Sequence, residues 1–173
     1  MAMGNRESHV ISVAMQAKLA GASNPVLCAN LRKKDGSRPI PASVVFNRPN
    51  KKIGVFGLMV PMVTERMSTK AASAFIWEDP LDTAGVAVQE LRSQVDLLIA
   101  LTHIGFRLDQ QLAEAYPEID VILGGHSHTV LEKPAKVGRT YIAQSGSHGQ
   151  FFGRYFWSFE DQALRGSLYP LKA

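Results

Sequence analysis

The sequence predicts a layered α/β fold, and three observations carry that reading. The segments 96–102 and 119–123 are short apolar runs of the kind found in strands buried on both faces. A helical stripe precedes the first run, over residues 82–94, with Val88, Leu91 and Val95 on one side. A second short helix, residues 109–116, separates the two runs, and strand–helix–strand alternation of this kind builds a sheet with helices packed on it.

Taken in order, residues 8–20 read as a helix, because Val10, Val13, Ala14, Ala17 and Ala20 recur at helical spacing and Gly21 ends the run. Residues 25–30 read as a short buried strand in which Cys28 is a small hydrophobe. The basic stretch 32–39 reads as an exposed turn. Residues 43–46 and 52–58 form a strand pair joined by Asn47-Arg48-Pro49-Asn50. Residues 61–80 show no clear period and are bounded by Pro61 and Pro80. After the central strand–helix–strand unit, residues 140–144 and 151–159 read as further strands, and Trp77 and Trp157 as core anchors.

The bulk composition fits this reading. The 173 residues suit one domain, and 46% hydrophobic with 20% charged is ordinary globular usage. No apolar stretch is long enough to span a membrane, and residues 1–8 carry no signal-peptide pattern, which leaves the cytoplasm as the default compartment. One cysteine permits no internal disulfide. The net charge of +4 is uneven: residues 1–60 hold nine of the 19 Lys and Arg but two of the 15 Asp and Glu. A basic first third suits an anionic substrate or nucleic acid. No aromatic residues interleave with these charges to form a stacking platform, so a nucleic-acid-binding module ranks last among the readings.

The histidines carry the chemistry. His103 ends one buried run, and His126 and His128 follow the other through Gly124-Gly125. Ligand sites in α/β sheets gather at the carboxyl ends of strands, so three imidazoles fall on the edge where a site forms. In Gly124-Gly125-His126-Ser127-His128, residues two apart in extended backbone point the same way, and the glycines permit positive φ and close backbone approach. Imidazole suits zinc, iron and manganese. A lone histidine is ordinarily a core or surface residue. The pattern of two after a glycine pair and an apolar strand is far more specific. Ser127 reads as a small spacer, and His148, in Ser145-Gly146-Ser147-His148-Gly149, as a turn residue.

The stretch 96–103, the helix positions Asp109, Leu112 and Ala113, and above all residues 119–129 resemble the calcineurin-like metallophosphoesterases of the 5′-nucleotidase type. Gln144-Ser145-Gly146 and Gly153-Arg154 are similar to that family's closing strands, and Gly4-Asn5-Arg6-Glu7 to its Gly-Asn-His-Glu motif. The resemblance implies an α-β-β-α sandwich, here lacking its first strands, and a metal-dependent phosphoester hydrolase, a phosphomonoesterase of the nucleotidase kind. It implies two divalent cations (Mn, Zn, Fe or Mg) in a complete domain. Asn5, His103 and His126 would bind one, and His128 the second. The family's upstream Asp-x-His and Gly-Asp-x-x-Asp motifs and its C-terminal substrate domain are not in this sequence, so the expectation here is a partial domain holding one ion. An inactive metal-binding fragment or pseudoenzyme is the rival reading. Partners implied are a phosphorylated small molecule such as a nucleotide, no membrane, and self-association through an exposed sheet edge.

One departure bears on catalysis. Where the family places a histidine that protonates the leaving alkoxide, this chain has Arg6. An arginine side chain stays protonated and serves as a phosphate clamp rather than a general acid. His9 lies four residues after Asn5 and would share its face if a helix began there, which makes it the candidate replacement acid.

Overall fold

The computed structural model describes residues 1–171. In chain order it forms α1 (Ser12–Leu19), β1 (Leu31–Lys33), β2 (Ser43–Arg48), β3 (Lys51–Met59), β4 (Phe75–Trp77), α2 (Pro80–Leu91), β5 (Leu97–His103), α3 (Phe106–Ala115), β6 (Val121–Leu123), β7 (Ala135–Val137), β8 (Thr140–Ala143), β9 (Phe151–Ser158) and β10 (Ala163–Pro170).

Six strands form one mixed sheet in the order β2-β3-β5-β6-β8-β7. The four inner strands run parallel, and β2 and β7 close the two edges antiparallel. The period of two along β5 explains how the layers stack. Leu98 and Ala100 face the helices and pack with Ala84, Val88 and Leu91 of α2 and Leu112 and Ala113 of α3. Leu97 and Ile99 face the other way and meet Tyr155, Trp157 and Leu164 of the antiparallel β9–β10 ribbon. Each of the wholly buried leucines, Leu98 and Leu112, contributes on the order of 1.5–3 kcal/mol, and each alanine less. The layers are therefore helices, six-stranded sheet and ribbon, three of the four in the expected sandwich. The ribbon's outer face is open, with Phe152, Phe156 and Tyr169 all more than half exposed.

Several local elements differ from the sequence reading. The first helix starts at Ser12, not at residue 8, because Ile11 at its N-cap is extended (φ −99°, ψ 128°). Residues 4–8 instead make a separate turn, closed by Ser8 N–H donating to the Gly4 carbonyl at 3.1 Å and Gly4 N–H donating to Glu7 Oε2 at 3.0 Å. Residues 25–30 are not a regular strand. Leu27 makes a single parallel bridge to Ala2, and the wholly buried Asn30 side chain takes over the pairing. Its amide donates to Met59 O at 2.8 Å and Glu78 O at 3.1 Å and accepts from Met59 N–H at 3.0 Å. The helix α2 begins at Pro80 because Asp79 caps it, accepting from Leu81 N–H at 2.8 Å and Asp82 N–H at 3.2 Å. Cys28 is buried as expected, and burial pushes its thiol up to about 12, so it is unreactive at neutral pH.

Candidate metal centre

The carboxyl ends of β3, β5, β6 and β8 lie along one edge, and the candidate ligands lie on the loops there. The parallel register sets Met59 beside His103 at the ends of β3 and β5. His103 is on the ribbon side of the sheet, in phase with Leu97 and Ile99, whereas the preceding Thr102 points to the helical side. There its hydroxyl donates to Asp109 Oδ1 of α3 at 2.6 Å. Asp109 is wholly buried, its Oδ2 has no hydrogen-bond partner among the described residues, and burial raises its pKa to about 7.

The chain's first residues bring Asn5 to the same edge. Met3 N–H donates to Leu27 O at 3.2 Å, and Ala29 N–H to Gly57 O at 2.7 Å, which ties the segment to β3. Asn5 Oδ1 then lies 2.6 Å from His103 Nε2 and 3.2 Å from His126 Nδ1. The two rings are 5.1 Å apart at 70°. Asn5, Arg6, Glu7, His103, His126 and His128 line a single open cleft of about 490 Å³. A roomier cleft of about 680 Å³, between Pro61, Arg66, Trp77 and Val86, contains no histidine. Donor groups, not volume, decide where the chemistry lies.

The Gly124–Thr129 loop reaches this arrangement by a different route from the extended one expected. The positive φ values fall on His126 (77°) and His128 (57°), not on Gly124 or Gly125. The glycines are needed for close approach instead. A Cβ on Gly124 would overlap the Asp109 carboxylate, and one on Gly125 would stand 3.2 Å from His103 Nδ1. The buried Gln144 holds the loop in place. Its Oε1 accepts from Thr129 N–H at 2.7 Å and Ser127 Oγ at 3.0 Å, and its Nε2 donates to Gly125 O at 3.3 Å. Ser127 is more than a spacer, since its Oγ accepts from Phe106 N–H at 3.0 Å, at the start of α3.

His9 is not brought together with the other five candidates. With the helix starting at Ser12, its Nδ1 accepts from Ile11 N–H at 2.9 Å, and it does not line the cleft. Gln144 and Asp109 belong to the segments that carry the family resemblance, but their roles, Gln144 as a loop clamp and Asp109 as the partner of Thr102 beneath His103, come from contacts between distant segments that the sequence does not display. His148 lies with its ring 5.6 Å from that of His128.

Two imidazole nitrogens and an amide oxygen form a neutral donor set that zinc, manganese and iron accept. Donors each ~2.1 Å from one tetrahedral ion lie roughly 3.4 Å apart, so the 3.2 Å between Asn5 Oδ1 and His126 Nδ1 is near that spacing, and the 2.6 Å between Asn5 Oδ1 and His103 Nε2 is that of a hydrogen bond. Burial, followed by the nearby His126, lowers the His103 pKa and favours the neutral ring a metal requires. Among the described residues no group of three or more His, Cys, Asp and Glu is arranged to hold an ion, so the set present is the Asn5–His103–His126 triangle.

Two histidines and an asparagine thus converge at the carboxyl edge of the parallel strands. The chain belongs to the calcineurin-like metallophosphoesterases of the 5′-nucleotidase type. It is 32% identical over 143 residues to the trifunctional nucleotide phosphoesterase protein YfkN of Bacillus subtilis, covering 79% of this chain and 9% of that protein. It is 31% identical over 158 residues to the uncharacterized metallophosphoesterase YunD of the same organism, covering 88% and 33%. The fold matches a 5′-nucleotidase precursor from Thermus thermophilus with a TM-score of 0.79 at 23% identity, over 99% of this chain and 38% of that one. No protein-family model matches the chain. The chain thus spans a third or less of the length of these two curated relatives.

Proposed function

We propose that this chain forms the histidine-bearing part of a metal-dependent phosphoester hydrolase that acts on a phosphomonoester, with nucleotides as the substrate class. The observation that supports it is the convergence of Asn5 Oδ1 on His103 Nε2 and His126 Nδ1, at 2.6 and 3.2 Å. The names of the relatives, a nucleotide phosphoesterase and a 5′-nucleotidase among them, support the substrate class.

A divalent cation bound there supplies Lewis-acid polarisation of a phosphoryl oxygen and a lowered pKa for bound water. Asn5, His103 and His126 would hold it, and His128 would serve a second ion. Gln144 and Ser127 keep His126 and His128 pointed into the cleft by fixing the loop that carries them. Arg6, on the cleft wall, neutralises phosphoryl oxygens through charge-assisted hydrogen bonds. Hydrolysis breaks the ester P–O bond and leaves an alkoxide that needs a proton, which an arginine cannot supply.

That last point favours a second reading, a metal-binding protein without turnover. One experiment separates the two. The metal-stripped chain is supplied with manganese or zinc, and both ion binding and phosphate release from an aryl phosphate and from a nucleoside monophosphate are measured. The hydrolase reading expects release that depends on metal and is abolished by His126→Ala. Ion binding with no release above background establishes the second reading, and no ion binding at all removes both.

A further inference from the structure

We propose that His148 is a metal ligand that pairs with His128, so that the two imidazoles form a second cation half-site at the rim of the cleft. The proposal rests on the metal-centre reading for His128 alone. His148, on the loop after β8, enters from geometry.

The first observation is ring spacing. The His128 and His148 rings lie 5.6 Å apart at 70°, nearly the arrangement of His103 and His126 at 5.1 Å and 70°. Two imidazoles on one ion, each ring centre ~3 Å from it, stand roughly 5 Å apart at the tetrahedral angle. Both pairs therefore have the separation of rings that share a metal.

The second observation is backbone conformation. Of the five non-glycine residues with positive φ among the described residues, three are His126, His128 and His148, the last at 56°. Positive φ is uncommon outside glycine, although histidine adopts it more readily than most residues, and such positions cluster at functional sites. His148 shares this feature with two candidate ligands and with no other histidine of the chain.

The third observation is that the two loops are tied to each other. Val130 and Ser145 make an antiparallel bridge, Gly146 N–H donates to Thr129 O at 2.9 Å, and Leu131 N–H donates to Gln144 O at 3.0 Å. Gln150 N–H donates to Ser147 O at 3.2 Å and closes the turn that presents His148. The two rings are thus set from cross-braced loops and do not meet by chance at two free ends. Both are exposed, and among the described residues neither ring makes a hydrogen bond to the protein. Two nitrogens leave open positions on an ion for water or phosphoryl oxygens, and the ligand class is a borderline divalent cation such as zinc.

The test is zinc titration of the metal-stripped full chain by calorimetry, with His148→Gly, His128→Gly and His103→Ala beside it. Glycine tolerates the positive φ and has no donor, so the loop survives the change. Circular dichroism checks that each variant is folded. The expected result is two classes of zinc in the parent chain. His148→Gly and His128→Gly each weaken the same class at least tenfold, and His103→Ala weakens the other. Copper bound to the His128–His148 class should show nitrogen coupling in its electron paramagnetic resonance spectrum that diminishes in His148→Gly. Unchanged zinc binding in His148→Gly overturns the proposal, as does loss with His128→Gly alone or a single class abolished by His103→Ala. Two intact classes without phosphate release overturn only the hydrolase reading.

Discussion

Gly124 packs so closely on Asp109 that a single methyl group at residue 124 has nowhere to go. A Cβ there would overlap Asp109 Oδ2 and stand 3.0 Å from the Gln144 amide nitrogen. Both neighbours are buried and hydrogen-bonded, so neither moves cheaply. Gly124→Ala should therefore destabilise the fold by about 1–3 kcal/mol, the range for overpacking a well-filled core. It should also weaken zinc binding, because His126 is two residues on. Urea unfolding of this variant beside Gly21→Ala provides the check. Among the described residues Gly21 has no neighbour within 4 Å of the added carbon, and the change should alter stability by no more than about 0.5 kcal/mol.

Asp109 makes stability depend on pH in an identifiable window. Its pKa rises from the ordinary 3.8 to about 7 in the fold, so the folded chain binds more protons than the unfolded one between those values. The contribution is complete below pH ~4, falls as pH rises, and is gone above pH ~7, with a total of at most about 4 kcal/mol. Asp109→Asn keeps an acceptor for Thr102 and removes the titration. Unfolding measured at intervals from pH 4 to 8 should slope downward for the parent chain and run flatter for Asp109→Asn. Equal slopes would show that Asp109 does not titrate in this range.

The central sheet was legible in the sequence because its signal is local. The buried parallel strands β5 and β6 are continuous apolar runs, and the structure moves their ends by two residues or fewer. His103, His126 and His128 were legible for the same reason, since each follows such a run. What was not legible depends on contacts between distant segments. Asn30 replaces strand pairing with its side chain, which removes the strand expected at residues 25–30. Asp79 caps α2 so that it starts at Pro80, two residues before the expected start at residue 82. β10 alternates imperfectly around Gly166 and is defined by its pairing with β9. Gln144 and His148 act on a loop some 20 residues earlier in the chain, and periodicity says nothing about that.

Gln144 should behave as a positioning residue for the histidine loop. Its side chain makes three hydrogen bonds to the segment Gly125–Thr129. Gln144→Leu preserves size and removes all three. Zinc affinity should fall about 10-fold to 100-fold, the usual effect of losing support behind a metal ligand. The part-buried Thr129 N–H left without a partner should cost a further ~1–3 kcal/mol of stability. Calorimetric titration and thermal unfolding report the two effects separately. A variant with lower stability but parent-like zinc affinity would show that the loop holds its shape without Gln144.

Arg6 and His9 make opposite predictions for turnover. Arg6 lines the cleft with the candidate ligands, whereas His9 does not and uses its Nδ1 locally to accept from Ile11 N–H. If the chain hydrolyses phosphoesters, Arg6→Ala should lower kcat/KM by about 10-fold to 100-fold, matching the ~1.5–3 kcal/mol of a hydrogen bond to a charged group. His9→Gln should leave kcat/KM within about twofold. Arg6→His restores a group able to donate a proton to the leaving oxygen and should raise kcat on substrates with poor leaving groups, with little change on aryl phosphates, whose leaving group needs no proton. A large loss in His9→Gln with an intact fold would instead place that imidazole in the reaction and require residues 5–11 to rearrange when substrate binds.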